Sequence, residues 1–249
     1  MPYNTMATAV TPALIIYLLD CSGSMGEKLD GAKKIEHLNE ALHGVLKRMV
    51  QRSTKGDVVS PRYNLALIPY SDQPRDILAG IKTIKEVWDQ GRPNFAPTTS
   101  TDTAAAFLYA LDLLQRELPN LKGHPAPMVC HLTDGVYTGA DPEPVARQIM
   151  QLANDDGNVL VENIFIAPNL TRQPISDAST WAGISDASEL QDPYAAKLFS
   201  MSSELPPSYA EVVQADGYGL KAGCRMLIPG TSKDLVELAF AMSGSTPTR

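Results

Sequence analysis

Cysteine is scarce in this 249-residue chain, and its spacing differs from that of a disulfide framework or a zinc site. Cys21, Cys130 and Cys224 are an odd number of residues and are spread over most of the chain, without CxxC pairs. Neither structural disulfides nor a cysteine-ligated zinc ion is therefore expected. The three side chains are expected to behave as small buried hydrophobes.

The sequence also lacks long apolar runs and clusters of basic residues. No run approaches the roughly 18 to 20 apolar residues that span a bilayer, and the first residues lack the basic-then-apolar order of a secretory signal. The net charge is −7, and no Lys/Arg cluster could follow a phosphate backbone. The sequence therefore predicts a cytoplasmic protein that binds neither nucleic acid nor membrane.

Short apolar segments alternate with amphipathic ones along the chain. Residues 13–19 form a continuous apolar run that ends at Asp20, as expected of a parallel strand buried on both faces. Residues 31–50 carry an apolar residue every three or four positions, which predicts an amphipathic helix. Further strands are predicted at residues 63–70, 76–84, 127–132, 159–167 and 225–228, and further helices at 102–118, 142–152 and 235–242. Residues 88–100 are predicted to be a loop.

This alternation predicts an α/β fold, a doubly wound, Rossmann-like and mostly parallel sheet with helices on both faces. Residues 169–221 are rich in Ser, Pro and Asp and interrupt the alternation. They are predicted to form an insertion with short helices near residues 193–201 and 207–214. The chain is accordingly predicted to be a single domain, residues 1–249, with an insertion at 169–221.

Oxygen-bearing side chains follow two of the predicted strands and precede one helix. In an open parallel sheet, ligands bind beyond the carboxyl ends of the strands, where the strand order reverses. A set of carboxylates and hydroxyls suits a hard cation such as Mg²⁺, with Mn²⁺ or Ca²⁺ as alternatives. Gly23 is expected to let the first loop curl so that its serines face one point. The candidate metal ligands are Asp20, Ser22, Ser24, Thr101 and Asp134.

Some of these assignments leave alternatives open. Thr98, Thr99 and Ser100 are other hydroxyl donors, although Thr101 directly precedes the Ala-rich helix and is favoured. Asp20 and its neighbours could instead form a helix N-cap, a common use of Asp and Ser. Asp102 could add a carboxylate behind the ligands or cap the helix. His131 is expected in the core or just behind the ligands.

A run of mixed charge follows the first motif and is expected to be an ordinary solvated start of a helix. It contains Glu27, Lys28, Asp30, Lys33 and Lys34.

The ligand set resembles the metal-ion-dependent adhesion site of von Willebrand factor A domains. The DxSxS motif is present as Asp20, Ser22 and Ser24, the threonine at the start of a helix as Thr101, and the aspartate of Leu-Thr-Asp-Gly as Asp134. The resemblance implies that the three hydroxyls bind the ion directly. It implies that the two carboxylates bind it directly or through water.

The resemblance covers residues 12–168 and 222–245 and leaves the insertion unexplained. The run at residues 20–26 and the Leu-Thr-Asp-Gly turn look like bacterial intracellular members, including those encoded beside kinases and phosphatases in stress or signalling systems. The resemblance implies a non-catalytic module whose ion binds an Asp or Glu of a partner protein. Loops at residues 71–76, 92–100 and 136–141 are expected to contact the rest of the partner.

Two other functions compete with this one. The first is a scaffold whose metal is purely structural and whose contacts are made by the 169–221 insertion. The second is a Mg²⁺-dependent phosphohydrolase, but an aspartyl-phosphate enzyme needs a second acid two residues after the first, and that position is Ser22. GxSxG, GxxxxGK[ST] and GxGxxG motifs are also missing, so the chain is predicted not to be an enzyme.

Overall fold

A computed structural model describes residues 2–135 and 137–247. The strands are β1 (Ala13–Asp20), β2 (Lys28–Leu29), β3 (Ala32–Lys33), β4 (Thr54–Lys55), β5 (Val58–Val59), β6 (Tyr63–Tyr70), β7 (Lys82–Thr83), β8 (Met128–Thr133), β9 (Leu160–Phe165) and β10 (Leu227–Pro229). The α-helices are α1 (Lys34–Ser53), α2 (Ile84–Asp89), α3 (Thr103–Glu117), α4 (Glu143–Gln151), α5 (Pro193–Ser200), α6 (Pro207–Ala215) and α7 (Lys233–Ser243).

The described residues form a six-stranded sheet with the order β10-β9-β8-β1-β6-β7. Its strands run parallel except β7, which pairs antiparallel with β6. From β1 the chain first extends the sheet through β6 and β7, and it then returns to the other side of β1 for β8, β9 and β10. The strand order therefore reverses between β1 and β8, so the carboxyl ends of these two strands border the crevice where such sheets bind ligands.

The predicted doubly wound, mostly parallel sheet with helices on both faces is confirmed, and strand β1 shows why it forms. All eight residues of β1 are buried. Ile15, Tyr17 and Leu19 pack in one apolar cluster with α1 and α7, and the alternate residues pack in a second cluster with α3 and α4. Because successive side chains of a strand point to opposite faces, an unbroken apolar run fits a strand with a helical layer on each side.

Three local predictions differ from the structure. Helix α1 begins at Lys34 rather than residue 31, because the β2–β3 hairpin occupies the preceding residues. Only Lys82–Thr83 of the strand predicted at 76–84 is extended as a strand, because the Asp76 carboxylate accepts hydrogen bonds from two following backbone N–H groups and forms a turn. Residues 88 and 89, predicted to be loop, end helix α2, which Thr83 caps.

Residues 169–221, which were predicted to be an insertion and are called the insertion below, contain the two predicted short helices, α5 and α6, between β9 and β10. All three cysteines are free and buried. In the part of the chain that the structure describes, no helix combines the length and the apolar character needed to cross a bilayer.

One ionisable side chain lies in the sheet core, far from the usual surroundings of a carboxylate. Glu162 of β9 is fully buried, and neither of its carboxyl oxygens has a hydrogen-bond partner among the described residues. Burial raises the pKa of Glu162 well above its ordinary value, and the thiol of Cys130, opposite on β8, lowers it by a smaller amount. The folded protein therefore favours the protonated form of Glu162.

We expect Glu162→Gln to remove a pH-dependent loss of stability. Above a pH of about 4.5 the unfolded chain releases the Glu162 proton while the folded chain keeps it, so the wild-type free energy of unfolding falls by about 1.4 kcal/mol per pH unit up to the folded-state pKa. Urea unfolding of both proteins at several pH values measures the difference. Glu211→Gln, at an exposed position, is the control, and its free energy of unfolding should differ from that of the wild type by the same amount at every pH. The same pH-independent difference for Glu162→Gln would contradict the buried protonated state.

Candidate metal centre

The structure brings four of the five predicted ligands into one chain of contacts. Asp20 ends β1, and its Oδ1 accepts a hydrogen bond from the Ser22 N–H at 2.8 Å. The Ser22 and Ser24 hydroxyl oxygens are 3.1 Å apart. The Ser24 hydroxyl in turn donates to Oδ1 of Asp134, just after β8, at 2.7 Å. These side chains therefore bridge the crevice between the carboxyl ends of β1 and β8.

The spacing of these oxygens suits a small octahedral cation. Mg²⁺ binds oxygen at 2.0–2.1 Å, so neighbouring ligands of an octahedral ion are about 2.9 Å apart. The distances of 3.1 Å between the two serine hydroxyls and 2.7 Å from Ser24 to Asp134 lie close to this value, and they are also the lengths of ordinary hydrogen bonds. No group of three or more His, Cys, Asp and Glu side chains within the described residues could hold a metal ion. A cation at this site would therefore depend on the hydroxyls.

The loop that contains Thr101 lies against the serine loop. It is joined to the serine loop by hydrogen bonds from the Thr98 N–H to the Cys21 carbonyl, at 2.6 Å, and from the Gly23 N–H to the Thr99 carbonyl, at 3.2 Å. Thr101 is 6% exposed, whereas Thr99 is exposed. The Thr98 hydroxyl already donates to the Cys21 carbonyl at 2.9 Å. Thr101 thus remains the preferred threonine of this loop, its role as a ligand stays a prediction, and the half-buried Ser100 stays an alternative.

The structure assigns physical roles to two neighbours of the ligands. Gly23 does not adopt a positive φ; instead, a Cβ atom there would lie 3.3 Å from the Thr98 carbonyl oxygen and 3.4 Å from that of Thr99. The glycine is needed for close approach of the two loops rather than for a left-handed curl. Asp102 is the N-cap of α3, since its carboxylate accepts a hydrogen bond from the Ala105 N–H at 2.9 Å.

Asp20 is buried at the base of the site. Burial raises the pKa of its carboxyl, hydrogen bonds from Thr133 and Ser22 lower it, and the nearby Asp134 charge raises it again, with a net rise. The Thr133 hydroxyl donates to Asp20 Oδ2 at 2.6 Å and so fixes its orientation. Thr133 was not singled out from the sequence, although it directly precedes Asp134 in the turn after β8.

Lys34 is the charged residue that sequence reasoning missed. Its ammonium group donates to Asp134 Oδ2 at 2.8 Å and to Glu27 Oε2 at 2.9 Å. The prediction of a solvated helix start is therefore wrong for Lys34, which is buried, although it fits the exposed Lys28 and Lys33. Burial disfavours the charged form of Lys34, but its hydrogen bonds to the two carboxylates outweigh this effect and raise its pKa.

His131 lies in the core, which was one of the two places predicted for it. It takes part in a buried series of hydrogen bonds. Asn163 donates through its amide nitrogen to the Met201 carbonyl and the Ser202 hydroxyl, so its carbonyl oxygen accepts from His131 Nδ1 at 2.8 Å. His131 Nε2 therefore accepts from the Tyr70 hydroxyl at 2.7 Å. Burial lowers the pKa of His131 to about 4, so the ring is neutral and the chain links the end of β6 to the insertion.

Helix α5 of the insertion packs against the loop that follows Asp134. Lys197 forms a salt bridge with Asp141 at 2.7 Å, and its ammonium group lies 5.4 Å from the centre of the Tyr137 ring. In the same loop, the N–H and the hydroxyl of Thr138 both donate to the Thr101 carbonyl at 3.0 Å. The insertion thus holds a loop that follows Asp134 in the chain and contacts Thr101.

The three loops predicted to contact a partner lie around the site. The loop at 71–76 accepts a hydrogen bond from the Asp102 N–H through the Ser71 carbonyl at 2.6 Å. The loops at 92–100 and 136–141 are joined to the site by the Thr98 and Thr138 contacts described above; Val136 lies outside the described residues. Most of their other residues are exposed or half-buried.

Comparison with known proteins agrees with this architecture. Residues 15–136 match the family model of the von Willebrand factor type A domain. No curated protein sequence matches the chain. Similar solved structures include the pilus adhesin SpaC from Lactobacillus rhamnosus GG, with a TM-score of 0.58 and 13% identity. The conserved hypothetical protein BatB from Bacteroides thetaiotaomicron has a TM-score of 0.57 and 12% identity. Proximal thread matrix protein 1 from the mussel byssus is also similar (0.54, 13%).

The alignments cover 93% of this chain for SpaC and for BatB and 94% for the byssus protein. This chain corresponds to 30% of SpaC and 47% of the byssus protein but to 96% of BatB. At such low identities these likenesses show the fold alone. The family match and the shared fold together support a von Willebrand factor type A domain.

We expect Thr101→Val to weaken divalent cation binding by at least about tenfold, because it removes one oxygen ligand and keeps the shape of the side chain. Isothermal titration with Mn²⁺ measures the affinity and should show about one site in the wild type. Thr99→Val is the matched control, since it makes the same change at an exposed position of the same loop. Equal affinities for the two variants would remove Thr101 from the ligand set.

We also expect Lys197→Met to loosen the loop after Asp134. Loss of a partly exposed ion pair costs about 0.2–1 kcal/mol, so the Thr138 amide should exchange with solvent about 1.4- to 5-fold faster. Hydrogen exchange followed by NMR measures this rate without any metal. Lys85→Met, which breaks an exposed pair with Asp89 on α2, should leave the Thr138 rate unchanged.

Proposed function

We propose that this chain is a non-catalytic protein-interaction module that holds Mg²⁺ in a metal-ion-dependent adhesion site and binds a partner through the ion. The observation that supports it most directly is the convergence of the Ser22, Ser24 and Asp134 oxygens at spacings suited to an octahedral cation. Mn²⁺ or Ca²⁺ are alternative ions. The bound ion would supply an electrophilic coordination position that faces the partner.

The ligand types explain why such a module would bind an acidic partner. Ser22, Ser24 and Thr101 offer neutral hydroxyls, and Asp20 and Asp134 offer carboxylates that bind directly or through water. Neutral ligands leave part of the cation's charge uncompensated, so a partner Asp or Glu can complete the coordination. The exposed residues of the surrounding loops would then contact the rest of the partner's surface.

The setting that we propose is a bacterial signalling or stress-response system in the cytoplasm. The resemblance of residues 20–26 to bacterial intracellular members supports it. Of the structural neighbours named above, one is called a pilus adhesin, and a binding role is also what we propose here. A catalytic alternative has less support, since Ser22 stands where an aspartyl-phosphate enzyme needs its second acid.

The main rival is a scaffold whose metal is structural and whose contacts are made by the insertion. The salt bridge of Lys197 with the loop after Asp134 favours this rival, because it couples the insertion to the site. The two proposals differ in whether the partner touches the ion. Partner affinity should therefore depend on the ion and on each ligand hydroxyl only in the first case.

We expect capture of the physiological partner to require the ion. The purified chain, immobilised in Mg²⁺, should release the partner when a chelator is added, because an acidic crevice then faces an acidic ligand. Loss of one member of a buried charge pair costs about 2 to 5 kcal/mol. Ser22→Ala and Thr101→Val should weaken the affinity strongly, whereas Thr99→Val should not. If neither the chelator nor the variants change the affinity for the partner, the binding surface lies on the insertion instead.

A further inference from the structure

The charge balance of the site is set by a side chain that belongs to neither ligand motif. Lys34 is the first residue of α1, and it donates to Asp134 Oδ2 at 2.8 Å. The Lys34 side chain is 9% exposed and that of Asp134 is fully buried, so solvent screens this pair weakly. The second partner, Glu27, has a side chain that is 68% exposed, and water screens its charge. The buried charges are therefore those of Asp20, Asp134 and Lys34.

We propose that Lys34 is a specificity-determining residue that weakens cation binding and strengthens the binding of an anionic ligand to the loaded site. This inference rests on the proposed function. The two carboxylates and the ammonium group together carry one net negative charge, so a divalent cation leaves one net positive charge. Without the ammonium group the loaded site would be neutral. Lys34 thus gives the loaded site its attraction for a negatively charged partner.

The same charge acts against the cation before it binds. Lys34 already neutralises part of the Asp134 charge through the 2.8 Å hydrogen bond, and its ammonium group repels an incoming cation. The site therefore binds its ion less tightly than its oxygen ligands alone would allow. In exchange, the loaded site favours anionic ligands such as carboxylates, because a neutral amide or hydroxyl leaves the positive charge uncompensated.

A purely structural role for Lys34 would have the opposite signature. If Lys34 served only to hold Asp134 in position, its removal would misplace a ligand and weaken cation binding. If charge dominates, its removal strengthens cation binding and weakens anion binding. The two readouts therefore move in opposite directions only when Lys34 acts through its charge.

The first measurement is the Mn²⁺ affinity of the whole chain by isothermal titration. Lys34→Met, which keeps the length of the side chain and removes its charge, should bind Mn²⁺ about tenfold more tightly. Lys34→Arg keeps the charge and should bind like the wild type. Lys33→Met is the matched control, since it removes the same charge from the exposed neighbouring residue. Lys34→Gln keeps an N–H donor for Asp134 and replaces Lys34→Met if that variant does not fold.

The second measurement uses acetate as a carboxylate probe on the Mn²⁺-loaded proteins. Acetate that displaces a metal-bound water lowers the water-proton relaxation rate, whereas chloride at the same ionic strength serves as the control. The acetate concentration for half displacement should be about fivefold higher in Lys34→Met than in the wild type. Lys33→Met should not differ from the wild type.

The outcomes separate this inference from the proposed function. Tighter Mn²⁺ binding with weaker acetate binding in Lys34→Met supports the role of Lys34. Unchanged or weaker Mn²⁺ binding relative to Lys33→Met overturns it. If acetate displaces no water from the wild-type Mn²⁺ form, the open coordination position of the proposed function is wrong, and the loss of anion binding that we assign to Lys34 fails with it. If the wild type binds no Mn²⁺, both proposals fail.

Discussion

Two carboxylates buried at the ends of adjacent parallel strands constrain the whole edge of the sheet where the candidate ligands lie. A buried charge is costly unless hydrogen bonds or opposite charges compensate it. Asp20 is compensated by the Thr133 hydroxyl and the Ser22 backbone, and Asp134 by the Ser24 hydroxyl and Lys34. The loop after β1, the end of β8 and the start of α1 therefore supply the donors to these two groups.

The sheet is packed by apolar side chains, and the candidate ligands are not among them. Strand β1 is buried between two separate apolar clusters, and burial of a large apolar side chain contributes about 1.5–3 kcal/mol relative to exposure. The apolar side chains of the strand thus fix its position, and only its last residue, Asp20, bears the charge. The charged residue at the end of β1 is in this way separate from the apolar side chains that hold the strand in place.

Features that depend on a local pattern of residues could be predicted from the sequence. Contacts between residues that are far apart in the chain could not. The apolar runs predicted the bounds of β1 and β6 to within one residue. The rule that ligands bind at the carboxyl ends of parallel strands predicted that Asp20, Ser22, Ser24 and Asp134 lie close together. Lys34 could not be recognised, since its neighbours make it look like any helix-start lysine and its partner Asp134 is remote in the chain. The same holds for the contact of the insertion with the loop after Asp134.

The strand order is also that of dinucleotide-binding sheets, in which the helix after the first strand points its amino terminus at a phosphate. Here that position is occupied differently. A 3₁₀ turn at Gly23–Gly26 and the β2–β3 hairpin separate β1 from α1 along the chain. Its first residue, Lys34, reaches back to Asp134. Serine hydroxyls stand where a phosphate-binding loop has glycine amides, so the crevice presents oxygen acceptors suited to a cation rather than N–H donors suited to an anion.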